Sequence, residues 1–264
     1  MNFYLNSFIL GIVEGLSEFL PVSSTAHLII AGHFLHIPQS TLQTFFDVFI
    51  QAGAIIAVIV MFFKQLWQEK IQFNIFFSFI PTALVGFLLY KIITKVFFNS
   101  LWAIAGALFV GGVVFLVLEK LITNNKIKLT KSTNSINIKQ ALLIGVFQSL
   151  AIIPGVSRAG AVMVTMMFMG YKRDESAVYS FLLAIPTLLG ASLFDLYKVR
   201  GMISFYSSDT TYLTIGLVTA FITALVSVKW LIGYLKKNTL TPFGIYRLVL
   251  AIIVVFVFKK NLLK

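Results

Sequence analysis

Six stretches of the sequence, residues 44–63, 74–93, 100–118, 176–197, 212–231 and 242–258, each run for about twenty residues with no more than one charged side chain. A segment of that length and polarity belongs across a bilayer, where every backbone N–H and C=O must be paired within the segment, so helices are required. The whole chain is consistent with this: 59% of its 264 residues are hydrophobic and only 11% charged, too little polar surface for a soluble domain of that size. The absence of cysteine excludes a disulfide framework, a thiolate nucleophile and a Cys-based metal site. The net charge of +12 comes from lysines lying between the apolar runs, where they orient the chain and meet anionic lipid; nucleic acid is not an expected partner.

The first apolar run has no basic n-region and contains Glu14 and Glu18, so a cleaved signal peptide is not expected. A polar stretch at 119–139, rich in Asn, Thr, Ser and Lys, divides a single membrane domain (1–264) into halves 1–118 and 140–264 and reads as a solvated cytoplasmic linker. Each half opens with an apolar segment, 8–35 or 140–170, interrupted near its middle by Pro, Gly and Ser. The two align without a gap: Gly11 with Gly145, Glu14 with Gln148, Leu16 with Leu150, Ser23 with Ser157, Ser24 with Arg158. Paired broken segments mark internal repeats that build a central site from discontinuous helices. The expected architecture is therefore all-α, with six transmembrane helices and two re-entrant helix-loop-helix hairpins in an inverted-topology repeat. Lys and Arg at the span ends favour 119–139 inside. That side holds Lys64, Lys70, Lys120, Lys126, Lys128, Lys131, Lys139, Lys172, Arg173, Lys229, Lys236 and Lys237, against Lys91, Lys95, Lys198, Arg200, Lys259, Lys260 and Lys264 outside. The termini and the first hairpin's mouth then face outward.

An ionised side chain at membrane depth costs about 2.5–3.5 kcal/mol on insertion scales and marks function by default. Glu14 and Glu18, spaced i, i+4, share one helix face and need a cation, a shared proton or a nearby Arg. Ser23, Ser24 and Thr25 follow Pro21, and His27 lies just beyond: hydroxyls beside an imidazole suit a nucleophile with its acid or base, or the capping of a second half-helix beginning near Ala26. In the second loop, Gly155 and Gly160 permit tight turns, Ser157 offers a hydroxyl, and Arg158 offers a planar fork for phosphate; its competing role is counter-ion to Glu14 or Glu18. Arg247 in the last span is either a second phosphate clamp or a side chain snorkelling to the interface. Asp47 and Gln51 offer a further polar contact or cap, and Met163, Met166 and Met167 read as packing. There is no nucleotide-binding Gly-Lys-Ser/Thr loop and no HExxH. An acidic pair, hydroxyls, one His and one Arg at mid-membrane depth suit cleavage or binding of a lipid-borne phosphate anhydride.

The run from Glu14 to His27, EGLSEFLPVSSTAH, and the run from Pro154 to Gly160, PGVSRAG, closely resemble the two signature motifs of the undecaprenyl-diphosphate phosphatase family, also called bacitracin resistance proteins. The resemblance covers nearly the whole chain and includes the Tyr246-Arg247 pair. It implies a multi-pass enzyme of the bacterial plasma membrane that removes the terminal phosphate of undecaprenyl diphosphate, recycling the lipid carrier for envelope glycan synthesis. It also implies a divalent cation, magnesium or calcium, on Glu14 and Glu18, an outward-facing site, and membrane lipids as surroundings, and it leaves a homo-oligomer open. Carried over by position, Glu14, Glu18, Ser24, His27 and Arg158 are the catalytic set and Ser157 belongs to the Arg-bearing loop; the residues' own chemistry adds Ser23, Thr25, Gly155, Gly160 and Arg247 around the substrate. Ser24 is the favoured nucleophile with His27 or Glu18 as base, and His27 is the alternative nucleophile. Ala26, Ala159 and Val162 stand where the family commonly has Gly, Ser and Thr. A carrier or flippase for a polyprenyl phosphate or other phosphate anion is the competing class, although a carrier has no need of a hydroxyl beside His and two carboxylates.

Overall fold

A computed structural model describes residues 3–38, 40–96, 100–199 and 207–259; Arg200, Lys260 and Lys264 of the outer basic set lie outside the described residues. Among the described residues the regular structure is helical, with α1 (Phe3–Ser17), α2 (Ser24–Phe34), α3 (Thr41–Met61), a short α4 (Phe63–Leu66), α5 (Glu69–Val96), α6 (Leu101–Thr123), α7 (Ile138–Gln148), α8 (Arg158–Phe168), α9 (Arg173–Val199), α10 (Ser207–Leu235) and α11 (Thr241–Lys259). Local sequence sets several starts. Ser40 and Ser100 accept from the N–H groups of Gln43 and Ala103 at 3.1 and 3.2 Å, and Asn137 and Gln140 form a reciprocal capping box at the head of α7.

Among the described residues, 5 helices are long and apolar enough to cross a membrane: those at 41–61, 69–89, 101–123, 173–194 and 209–235. The sixth expected span, 242–258, is a helix whose apolar stretch, Thr241–Val257, falls in the 10–17 residue class, short of the others. Large apolar side chains such as Phe87, Leu88 and Phe256 lie on the outer surface, which in water would drive aggregation and in a bilayer meets acyl chains. The linker is shorter than its composition suggests. Helix α6 continues through Thr123, and Glu119, expected in solvent, is buried with its carboxylate paired to Arg173 and accepting the Leu240 N–H at 2.8 Å. One carboxylate thus ties the ends of α6, α9 and α11.

The two halves interleave. Helix α1 packs on α10 and α7 on α5, α3 contacts both α9 and α10, and α6 lies along α11. The aligned glycines allow close approaches between helices. A Cβ on Gly11 would stand 2.7 Å from the Gly216 carbonyl oxygen, and one on Gly145 2.1 Å from that of Ser78. At this second contact Ser78 donates to the Ala141 carbonyl and Thr82 to that of Gly145. Phe19, Phe181, Met163, Met166 and Met167 fill the core beside the two breaks, so the methionines do pack.

Candidate active site

Both breaks follow from backbone chemistry. In the first, Glu18 N–H makes the last helical bond, to Glu14 at 2.9 Å; Pro21 has no N–H to continue it, and Ser23 turns the chain at φ 73° before α2 begins at Ser24. The restart comes two residues earlier than expected, and the Ser23 side chain caps nothing. In the second, Gly155 turns at φ 93° with its Cα against Ile104, where a Cβ would meet the carbonyl oxygen at 2.6 Å. Ser157 then caps α8, accepting the Gly160 N–H at 3.1 Å.

The breaks face each other, and their charges meet. Glu18 Oε1 accepts from Arg158 Nη2 at 2.7 Å, with the two side chains only 6% and 9% exposed. The other oxygen, Oε2, accepts the Ser24 hydroxyl proton at 2.5 Å. Arg158 also donates from Nη1 to the Ser180 carbonyl at 2.9 Å and lies over the Phe19 ring. Glu14 is fully buried, and neither carboxylate oxygen meets an N–H or alcohol donor among the described residues. Its charged surroundings are Glu18, Asp47 and Arg158. Asp47 in turn accepts from Gln43 at 2.7 Å, so it is the further polar contact rather than a cap.

His27 shares no hydrogen bond with Ser24. Its Nδ1 is 2.7 Å from the Ser23 carbonyl oxygen and its Nε2 2.6 Å from the Tyr246 hydroxyl. Thr25 is half-buried, and Gly160 packs against the Phe115 ring. Arg247 is 2% exposed and does not snorkel. It donates to the carbonyls of Pro21 (3.3 Å) in the first break, Gly155 (3.0 Å) in the second and Ala107 (3.1 Å) on α6, with Phe115 under its guanidinium. Two of the four sequence-predicted charges, Glu18 and Arg158, thus pair directly, and a third, Arg247, fastens the two loops that carry them. Contacts spanning hundreds of residues, such as Arg247 with Pro21 or Tyr246 with His27, leave no local signal in a sequence.

The geometry agrees with what comparison of whole sequences finds. The family described as bacitracin resistance protein BacA matches residues 7–253. The chain belongs to this family. Its relatives include the undecaprenyl-diphosphatase of Sulfurihydrogenibium sp. (strain YO3AOP1), 43% identical over 249 residues that cover 94% of this chain and 97% of the relative. That of Wolinella succinogenes is 44% identical over 252 residues, 95% and 96% of the two chains, and that of Aquifex aeolicus 41% identical over 246 residues, 93% and 94%. The match spans both breaks and the final helix as far as residue 253, so in this BacA family member the paired charges and the residue that fastens them lie within the shared region.

Proposed function

We propose that this chain hydrolyses undecaprenyl diphosphate to undecaprenyl phosphate and inorganic phosphate in the bacterial plasma membrane, with Ser24 as nucleophile. The observation that carries the assignment of roles is the 2.5 Å contact between the Ser24 hydroxyl and Glu18 Oε2, the geometry of a nucleophile and its base. Both ring nitrogens of His27 are already engaged, which favours Ser24 over His27 as the attacking group. While Arg158 holds Glu18, one oxygen of that carboxylate is committed to the guanidinium. A diphosphate offers Arg158 a better bidentate partner, and transfer of the guanidinium to phosphate frees Glu18 to take the Ser24 proton. The serine oxygen then bonds to the terminal phosphorus as the bridging P–O bond breaks, undecaprenyl phosphate departs, and water cleaves the phosphoserine to release phosphate and restore the proton. Arg158 neutralises charge on the equatorial oxygens throughout.

Magnesium or calcium suits the oxygens of Glu14, hard donors that meet no N–H or alcohol donor among the described residues. Glu14, with Glu18 beside it, would hold such a cation; among the described residues no group of three or more acidic or imidazole ligands gathers. A bound cation there supplies neutralisation of phosphate charge.

The inverted repeat is the reading that best accounts for the packing. Exchanging α1 with α7, α2 with α8, α3 with α9, α5 with α10 and α6 with α11 maps the α1–α10 contact onto α7–α5, α3–α10 onto α9–α5, and α3–α9 and α6–α11 onto themselves. In this reading the broken segments are re-entrant, α11 is the sixth span, and the Ser24 site opens outward. The chain has no native cysteine, so a single cysteine at Lys128 reports orientation: protection from an impermeant maleimide in intact cells is expected, and labelling from outside would reverse the topology. The activity is tested by phosphate release from undecaprenyl diphosphate in detergent, with and without EDTA. Release that EDTA abolishes and Ser24→Ala removes is expected; a folded native protein that releases no phosphate would reject the assignment.

A further inference from the structure

The ring of His27 is held from both sides by groups that fix where its proton sits. The Ser23 carbonyl oxygen beside Nδ1, at 2.7 Å, can only accept, so Nδ1 carries the hydrogen. Nε2 of the neutral ring is then a lone pair, and the Tyr246 hydroxyl 2.6 Å away donates to it. The imidazole and phenol rings lie within 4° of parallel with centroids 5.6 Å apart, which keeps the phenol oxygen at the imidazole edge. The neighbours of both rings are themselves fixed. Ser23 is the strained turn residue of the first break, and Tyr246 precedes Arg247, whose guanidinium fastens both breaks. Tyr246 is 45% exposed while His27 is only partly so, which makes the phenol the outer member of the pair.

We propose that Tyr246 is a positioning residue for the hydrolysis, which with the Ser23 carbonyl holds His27 as its Nδ1–H tautomer and leaves Nε2 as the one nitrogen that exchanges a proton. The proposal rests on the proposed hydrolysis and on the family resemblance, which places His27 in the active site. Because Nδ1 is committed to a backbone carbonyl, any proton that His27 gives or takes crosses Nε2, and it does so to the phenol oxygen or to a group that displaces it. Tyr246 therefore governs when that nitrogen is available.

The test compares kcat and KM for phosphate release from undecaprenyl diphosphate in native protein, Tyr246→Phe, His27→Ala and the double variant, with nitrogen NMR of histidine-labelled protein. Only three histidines are present, so His33 and His36 serve as internal reporters of an intact fold. In native protein the His27 signals should show a protonated Nδ1 and a hydrogen-bonded, unprotonated Nε2. Tyr246→Phe, which keeps the ring and loses only the hydroxyl, is expected to lower kcat about tenfold with KM within about twofold. Its Nε2 resonance should move toward that of a free lone pair while Nδ1 stays protonated. The double variant should be no slower than His27→Ala alone, as for two residues acting through one group. An Nε2–H tautomer in native protein, an unchanged kcat in Tyr246→Phe, or additive losses in the double variant, each with His27→Ala impaired, overturns the proposal alone. Full activity of His27→Ala overturns both the proposal and the membership of His27 in the site.

Discussion

The two broken segments share a plan and divide the chemistry. In both, an apolar half-helix packs through a glycine on a long neighbour, stops at a proline-bearing turn, and restarts at a serine. The first carries Glu14, Glu18, Ser24 and His27; the second carries Gln148 where Glu14 stands in the alignment and Arg158 where Ser24 stands. Gln148 is as buried as Glu14, but its NH2 group donates to the Thr82 and Thr187 hydroxyl oxygens at 2.8 and 3.2 Å, whereas the Glu14 carboxylate can only accept and meets no N–H or alcohol donor among the described residues. The difference teaches that one backbone motif serves two ends: the second segment is a fixed scaffold that presents a cation, and the first holds the groups that react.

If that division is right, removing a reacting group should cost far more activity than altering the scaffold. Ser24→Ala and Glu18→Gln are each expected to lower kcat about a thousandfold, measured as phosphate release. Arg158→Lys keeps the charge but loses the fork, and a fall of about 10–100-fold in kcat/KM is expected; equal losses for all three would erase the division. Giving the second segment the first one's acid, by Gln148→Glu, removes the donors to both threonines and buries a carboxylate. It should lower stability by about 2–3 kcal/mol in thermal unfolding in detergent, and it should not restore activity to Glu14→Gln. The smallest effects fall on the two restart serines and should have opposite signs. Ser157→Ala loses a cap that Gly160 uses and should destabilise by about 1 kcal/mol. Ser23→Gly loses no cap and relieves a positive φ, so it should stabilise by about 1 kcal/mol.

Much of this was legible before any coordinates. Prolines and glycines in the middle of apolar runs gave away both breaks, because only those residues interrupt a helix at that depth, and the i, i+4 spacing placed Glu14 and Glu18 together. Composition misled at Glu119, since a glutamate at the edge of a Lys- and Asn-rich stretch looks solvated, and only the fold brings Arg173 and the Leu240 N–H to it. The same limit applied to the charges. Sequence offered Arg158 two carboxylates and Arg247 two destinies, and the choice of Glu18 for one and of loop carbonyls for the other depends on how α8 and α11 are set against the first break. The base for Ser24 was also left open between His27 and Glu18, because both lie within six residues and only the turn at Ser23 decides which side chain points at the hydroxyl.

The contact of α1 with α10 sets a condition on how the protein is made. The acidic half-helix leaves the ribosome well before its main packing partner, which begins only at Ser207. At about 5–20 residues per second that is a wait of roughly 10–40 s. During that time Glu14 and Glu18 sit in the insertion machinery or the lipid without the surface that later buries them. Biosynthesis of this enzyme therefore passes through a long-lived intermediate with two unsheltered acids, and a chain cut short anywhere before α10 would be left in that state and exposed to membrane proteases.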